Sequence, residues 1–405
     1  MNTSPAPPPP DMVSSAVSRW QLAPLYAAGF TTAFGAHGIA ANLGSVTTGH
    51  HSSLLVLGAL LAIYDGAEVI LKPVFGTLAD RIGARKVLIG GLVMFAVASA
   101  VFALAHDTHW LWLARLGQGA GAAAFSPSAS AMVARLTADS GRGRAFGSYG
   151  FYKSLGYTLG PLLGGVLVAV GRLGLLFTVM AVLAAVVAVW ARVAVPAVAP
   201  LPRSRQTLLD TARRLGDAAF LKPTMALAAA TAALSAGVGF LPVSGATAGL
   251  GPTATGAVVS VLALTAAVVQ PWAGRALDAG TLTPTRGVAT GLIITALGVA
   301  AAALPGVTGI LTAALAIGVG TGVITPLAFT SLARSAPTEH LGQTMGAAEI
   351  GRECGDMAGP LAVAAIATTT TLTFGYLGLA AVIVAILVAV TAFRAAPAEE
   401  IPTPV

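Results

Sequence analysis

The chain has 405 residues, 56% of them hydrophobic and 9% charged, with a mean hydropathy of +0.84 and a formal net charge of +7. A water-soluble domain carries about 25% charged residues, so a soluble enzyme or binding module is excluded and most of the surface must face lipid. Continuous apolar runs such as 377–390, which holds no polar side chain, exclude the alternating pattern of a membrane barrel. They leave helices of about 20 residues each.

Residues 1–21 are Pro-rich, with no apolar stretch before Trp20. They read as a disordered cytoplasmic tail and not as a cleavable signal peptide. Membrane helices are expected at 22–42, 54–75, 86–105, 110–134, 145–169 and 173–195. A polar linker follows at 196–222, then six more spans at 223–246, 254–276, 287–304, 307–333, 343–367 and 373–393, and a cytoplasmic tail at 394–405. In the linker Leu208, Leu209, Leu215 and Phe220 share an apolar face while Arg213 and Arg214 stay wet, which predicts a short helix on the membrane surface. The expected fold is therefore all-α: twelve transmembrane helices in two six-helix bundles.

With the N-terminus inside, seventeen of the 22 lysines and arginines fall in inner segments, and Arg172 alone falls in an outer loop. This asymmetry follows the positive-inside rule and places both termini in the cytoplasm, under the plasma (inner) membrane. The basic pI is thus a topology signal, and nucleic acid is excluded as a partner. The lone cysteine, Cys354, excludes an intramolecular disulfide and is expected to be a small apolar packing residue in a helix.

The two halves repeat. In the fifth span Gly147, Gly156, Gly160 and Pro161 follow the pattern G-x8-G-x3-G-P, and Gly346, Gly355, Gly359 and Pro360 follow it again 199 residues later. Pro73, Gly76 and Asp80 recur as Pro271, Gly274 and Asp278 at an offset of 198, and Pro127 and Arg135 recur as Pro326 and Arg334 at 199. Copies six helices apart share one orientation, which gives a parallel repeat with a site between the halves, as alternating access requires.

These residues resemble the major facilitator superfamily over the whole chain. The segment 76–86, with Gly76, Asp80, Arg81, Gly83 and Arg85, is similar to its signature loop between helices 2 and 3; Ala84 stands where the family often has a basic residue. Arg115, Gln118, Gly119 and Gly121 resemble the helix 4 motif of proton-coupled members. Gly147 to Gly165, ending in Gly160-Pro161-x-x-Gly164-Gly165, resembles the helix 5 antiporter motif, whereas the second copy has Val363 and Ala364 in place of the final glycine pair. The resemblance implies a proton-driven exporter of the twelve-helix drug-antiporter type, without naming its substrate.

Ionisable groups at membrane depth cost about 2.5–3.5 kcal/mol each on insertion scales and mark function. Asp65, Glu68 and Lys72 share one face of the second span; Glu349, Arg352, Glu353 and Asp356 share one face of the eleventh. Lys153 has Arg352 as its repeat partner at +199. Asp65, Glu68, Glu349, Glu353 and Asp356 are the candidate proton carriers, Lys153 and Arg352 the counter-ions or anion-binding groups, with Asp65 or Glu68 expected to pair with Arg352. Breaking a buried ion pair favours proton uptake by its acid, and remaking the pair favours release. Lys72 is expected to snorkel to the interface, Arg115 to act in coupling or as a hydrogen-bond hub, and His37 as a proton relay or cavity contact. His50, His51, His106 and His109 belong in or beside outer loops. Asp80 with Arg81, Arg85 and Lys86 is expected to clasp the cytoplasmic ends of the helices.

No zinc-protease motif, phosphate loop or hydrolase elbow is present, so no catalytic residue, metal or cofactor is expected. The expected partners are a small-molecule substrate, protons and membrane lipid, for a monomer. Two other readings stay open: an ion-coupled importer of an organic acid held by Lys153 and Arg352, and a non-transporting membrane sensor.

Overall fold

The computed structural model describes residues 18–47, 54–105, 108–198 and 216–392. Among them all regular structure is helical: α1 (Arg19–Thr47), α2 (Leu54–Ile82), α3 (Ala84–Ala105), α4 (Thr108–Leu136), α5 (Arg142–Ala194), α6 (Ala218–Thr247), α7 (Pro252–Asp278), α8 (Pro284–Ala301), α9 (Gly306–Ser335), α10 (Leu341–Thr369) and α11 (Leu372–Ala392). Residues 1–17 of the expected N-terminal tail, the expected C-terminal tail, His50, His51, His106 and most of the expected linker helix lie outside the described residues, whereas residues 19–21, expected in the disordered tail, form the first turn of α1. Phe220, assigned to that linker helix from sequence, instead sits in the first turn of α6.

α5 carries the fifth and sixth expected spans in one helical element of 53 residues. Straight, it would reach about 80 Å at 1.5 Å per residue, against about 30 Å of hydrocarbon. It doubles back instead. Tyr152 stacks on Tyr26 at 5.7 Å between ring centroids, and Trp190, far along the same element, lies 5.3 Å from Trp20. Trp20 and Tyr26 are less than two turns apart in α1, so one end of α1 meets both ends of α5. The reversal falls where two apolar segments, Asp139–Gly171 and Leu173–Ala194, meet.

Eight segments among the described residues are long and apolar enough by themselves to cross a membrane. The elements that fall short are α1, α2, α4 and α10, which carry His37, the α2 charges, Arg115 and the α10 charges. Polar residues of these helices such as Glu68, Lys72, Arg115, Gln118, Glu349 and Arg352 are buried in the protein, while leucines and valines such as Leu104, Val170 and Val193 cover the outside. That is the inverse of a soluble bundle and follows from lipid being the solvent.

The repeat glycines pack helices within each half. A Cβ on Gly156 would stand 2.6 Å from the carbonyl oxygen of Phe30 in α1, and one on Gly355 would stand 2.1 Å from that of Ala228 in α6. Gly160 against Phe34 and Gly359 against Ala232 repeat the contact one turn on. Only glycine admits this backbone approach.

Candidate functional site

A cavity of about 670 Å³ lies between the halves. Its walls are α5 (Ser154, Tyr157, Thr158, Leu162), α6 and the small residues of α7, with His37 from α1 and Arg352 and Asp356 from α10. Most of the lining surface is apolar, with a few polar and charged groups among it, as is typical of small-molecule sites.

Beside the cavity, α2, α5 and α10 bring together three carboxylates and three cations. Lys72, fully buried, bonds Glu68 at 2.7 Å and Glu353 at 2.9 Å and approaches Glu349 at 3.6 Å. Glu349, also fully buried, accepts from Lys153 and from Arg352, each at 3.2 Å. Arg352 closes the network on Glu353 and donates to the Tyr157 hydroxyl at 2.8 Å. The charges balance, as burial demands, because an isolated ion in such a setting is far more costly than a paired one. The network ties α2 and α5 to α10 and so joins the two halves.

Several expectations change here. Lys72 does not snorkel: one turn beyond it Gly76 packs against Gly342, so α10 covers the lysine and makes it the hub of the network. Arg352 pairs with Glu349 and Glu353 of its own helix, not with Asp65 or Glu68. Asp65 has an exposed side chain and, with Asp356, has no cation within 4.0 Å among the described residues. The carboxylate of Asp356 instead faces Ser235 and His37 at the cavity wall. The His37 ring stands edge-on to Tyr157 at 4.4 Å. Arg115 is apart from the network, buried over the Tyr64 ring at 4.2 Å and bonded to the Leu60 carbonyl at 3.3 Å. Cys354 is exposed, not packed inside.

The signature-loop aspartate closes one end of the molecule. Asp80 accepts from the backbone N–H groups of Gly342 and Gln343, both at 2.8 Å, at the start of α10. Its repeat partner Asp278 accepts from Gly143 and Arg144, at 2.8 and 2.7 Å, at the start of α5. Arg135 donates to the Thr338 carbonyl at 3.1 Å and Arg334 to that of Asp139 at 2.9 Å, so this contact is reciprocal too. Each carboxylate sits where a helix N-terminus offers unpaired N–H groups and positive potential. Arg85 reaches the carbonyl of Arg192 at the end of α5, Arg81 points to the surface, and Gly83 turns the chain at φ +102°. Gly147 lies against the Gln270 carbonyl, Gly164 is buried, Gly165 is half-buried, and Pro161 borders the cavity. The cavity lies toward the opposite end, since its α7 lining comes from the first half of that helix and Asp278 ends it.

This architecture is that of a membrane carrier, and the chain belongs to the Major Facilitator Superfamily, whose profile matches residues 25–280 and 224–405. It is similar to the quinolone resistance protein NorA of Staphylococcus aureus, 30% identical over 135 residues, covering 31% of this chain and 35% of that one. It is also similar to multidrug resistance protein 1 of Bacillus subtilis, 30% identical over 141 residues, covering 34% and 36%. The match thus spans about a third of these relatives. Among solved structures, the human organic anion transporter MFSD10 (TETRAN) superposes with a TM-score of 0.75 at 17% identity, covering 92% of this chain and 99% of that one. FucP in the outward conformation gives 0.76 at 13%, covering 91% and 97%. The protein is an integral membrane transporter of this superfamily.

Proposed function

We propose that the protein is a proton-coupled exporter that exchanges a small organic molecule or drug for protons by alternating access. In this reading both termini and the Asp80 end face the cytoplasm, and the cavity belongs to an outward-facing state. The observation that carries the proposal is the balanced ion network linking α2, α5 and α10 beside the cavity. A network whose members come from both halves is made or broken as the halves rock. Its acids are held ionised while paired with cations and take up protons when separated from them. Asp65 and Asp356, outside the pairing, are carriers already free to exchange. Drug-resistance relatives favour export. An importer of organic acids is disfavoured, because Lys153 and Arg352 are both occupied by Glu349 and leave no free cation in the network to hold an anion.

The test uses everted membrane vesicles with an acid lumen and a panel of cationic, zwitterionic and anionic compounds that includes a quinolone. At least one compound should accumulate and discharge the pH gradient, and a protonophore should abolish accumulation. Accumulation that continues unchanged with the protonophore would remove the coupling.

A further inference from the structure

Two seams join the halves, α2 against α10 and α5 against α7, and the sequence repeat relates them residue by residue. At an offset of 198, Lys72 corresponds to Gln270; at 199, Glu353 corresponds to Ser154, Glu349 to Gly150 and Gly346 to Gly147. Equivalent positions meet in both seams. Lys72 Nζ donates to Glu353 at 2.9 Å, and Gln270 Nε2 donates to Ser154 Oγ at 2.7 Å. Where Glu349 fills the ionic seam, Gly150 leaves room for the Gln270 carboxamide, since a Cβ there would lie 1.6 Å from its Oε1. One seam is therefore an ionic lock and the other its neutral copy.

The cavity follows the neutral copy. Ser154 lines it directly, and Ala266, one turn from Gln270, does so on the facing helix. No described residue of α2 lines it.

We propose that the seams divide the labour: the α2–α10 seam is the proton-responsive lock, and the Ser154–Gln270 pair forms a proton-blind floor beneath the substrate cavity on the α5–α7 seam. The inference rests on the proton-coupled reading above. Separating Lys72 from Glu353 and Glu349 leaves bare charges in a dry site, so this seam parts only when the carboxylates are protonated. Separating Gln270 from Ser154 exchanges one neutral hydrogen bond for another partner and needs no proton. The groups facing the lock are Tyr64, Asp65 and Glu68 of α2, Lys153, Tyr149 and Tyr157 of α5, His37 of α1, and Arg352 and Asp356 of α10, with Arg115 of α4 facing Asp65 and Glu68 and not the lock itself. The neutral pair has Lys153 as its nearest ion in sequence, and that charge is already bonded to Glu349.

The test is a distance measurement between spin labels on lipid-facing positions, Ile70 with Met357 for one seam and Leu163 with Leu264 for the other. It is made in the full chain carrying Cys354→Ser, reconstituted in nanodiscs, at mildly alkaline and mildly acid pH without substrate. Acid should rearrange the halves in the parent protein. The charge-balanced variant Lys72→Gln/Glu353→Gln should lose that pH dependence, and Ser154→Ala/Gln270→Ala should keep it. The transplant Gln270→Lys/Ser154→Glu builds a second ionic lock and should shift the rearrangement to lower pH. A pH response that survives in the first variant, vanishes in the second, or is unmoved by the transplant overturns the division while leaving proton coupling intact. A parent protein whose distances ignore pH overturns the proton-coupled reading itself.

Discussion

Glu349 is the residue on which the interior charge balance turns, because it alone touches all three cations, Lys72, Lys153 and Arg352. Glu349→Gln leaves these cations facing one another without their shared anion. Loss of one partner from a buried ionic cluster costs about 3–5 kcal/mol, so the variant should unfold at clearly lower temperature in detergent than the parent protein and should not transport. A melting temperature equal to the parent's would show that water or lipid neutralises the site. The ions themselves were legible in sequence, since a charge at membrane depth stands out against 9% charged composition. Their partners were not. Pairing depends on how closely α2 and α10 approach, and that is set by glycines: a Cβ on Gly76 would lie 2.5 Å from the Gly342 carbonyl. Lys72 was misread for this reason, because counting residues from the loop gives depth but not what covers the side chain. Ser154 and Gln270 carry no charge to mark them; the 198 and 199 offsets that make Gln270 the equivalent of Lys72, and Ser154 that of Glu353, are the available signal.

Among the elements, α5 and α10 are the two whose starts are held by Asp278 and Asp80. A carboxylate accepting N–H groups at a helix N-terminus contributes about 0.5–2 kcal/mol, a range that biases a conformational equilibrium without deciding the fold. The double variant Asp80→Asn/Asp278→Asn should therefore fold normally but open at this end more often. Cysteines placed at Gln343 or Arg144, the non-glycine residues whose backbone N–H groups these aspartates hold, in a Cys354→Ser background should then label faster with a water-soluble maleimide. Unchanged labelling would mean that the glycine contacts alone hold the end shut. Helix positions were well legible: the span expected at 307–333 appears as Gly306–Ser335 and that at 373–393 as Leu372–Ala392. The α5 reversal falls where the sequence places a break between two spans, between Gly171 and Leu173.

At the scale of the molecule, a parallel repeat has been kept in its packing and divided in its chemistry. Gly156 and Gly355, Asp80 and Asp278, Arg135 and Arg334 make equivalent contacts in the two halves. The ions sit almost wholly on one seam and the cavity on the other. In the proton-coupled reading proposed above, substrate and proton act on one rocking motion from different sides of the axis, and Arg352 and Asp356, which line the cavity beside the ion network, are where they meet.

The most direct test of this account is substrate-triggered proton movement in liposomes holding the purified protein, with a quinolone and the rest of the charge-varied panel as probes. Parent protein is compared with Asp356→Asn and with Lys72→Gln/Glu353→Gln. The account predicts that a transported compound releases protons from the lumen of parent liposomes, and that the α2–α10 variant still exchanges the compound across the membrane but moves no protons with it. Transport without proton flux in the parent, or equal proton flux in the parent and both variants, would contradict it.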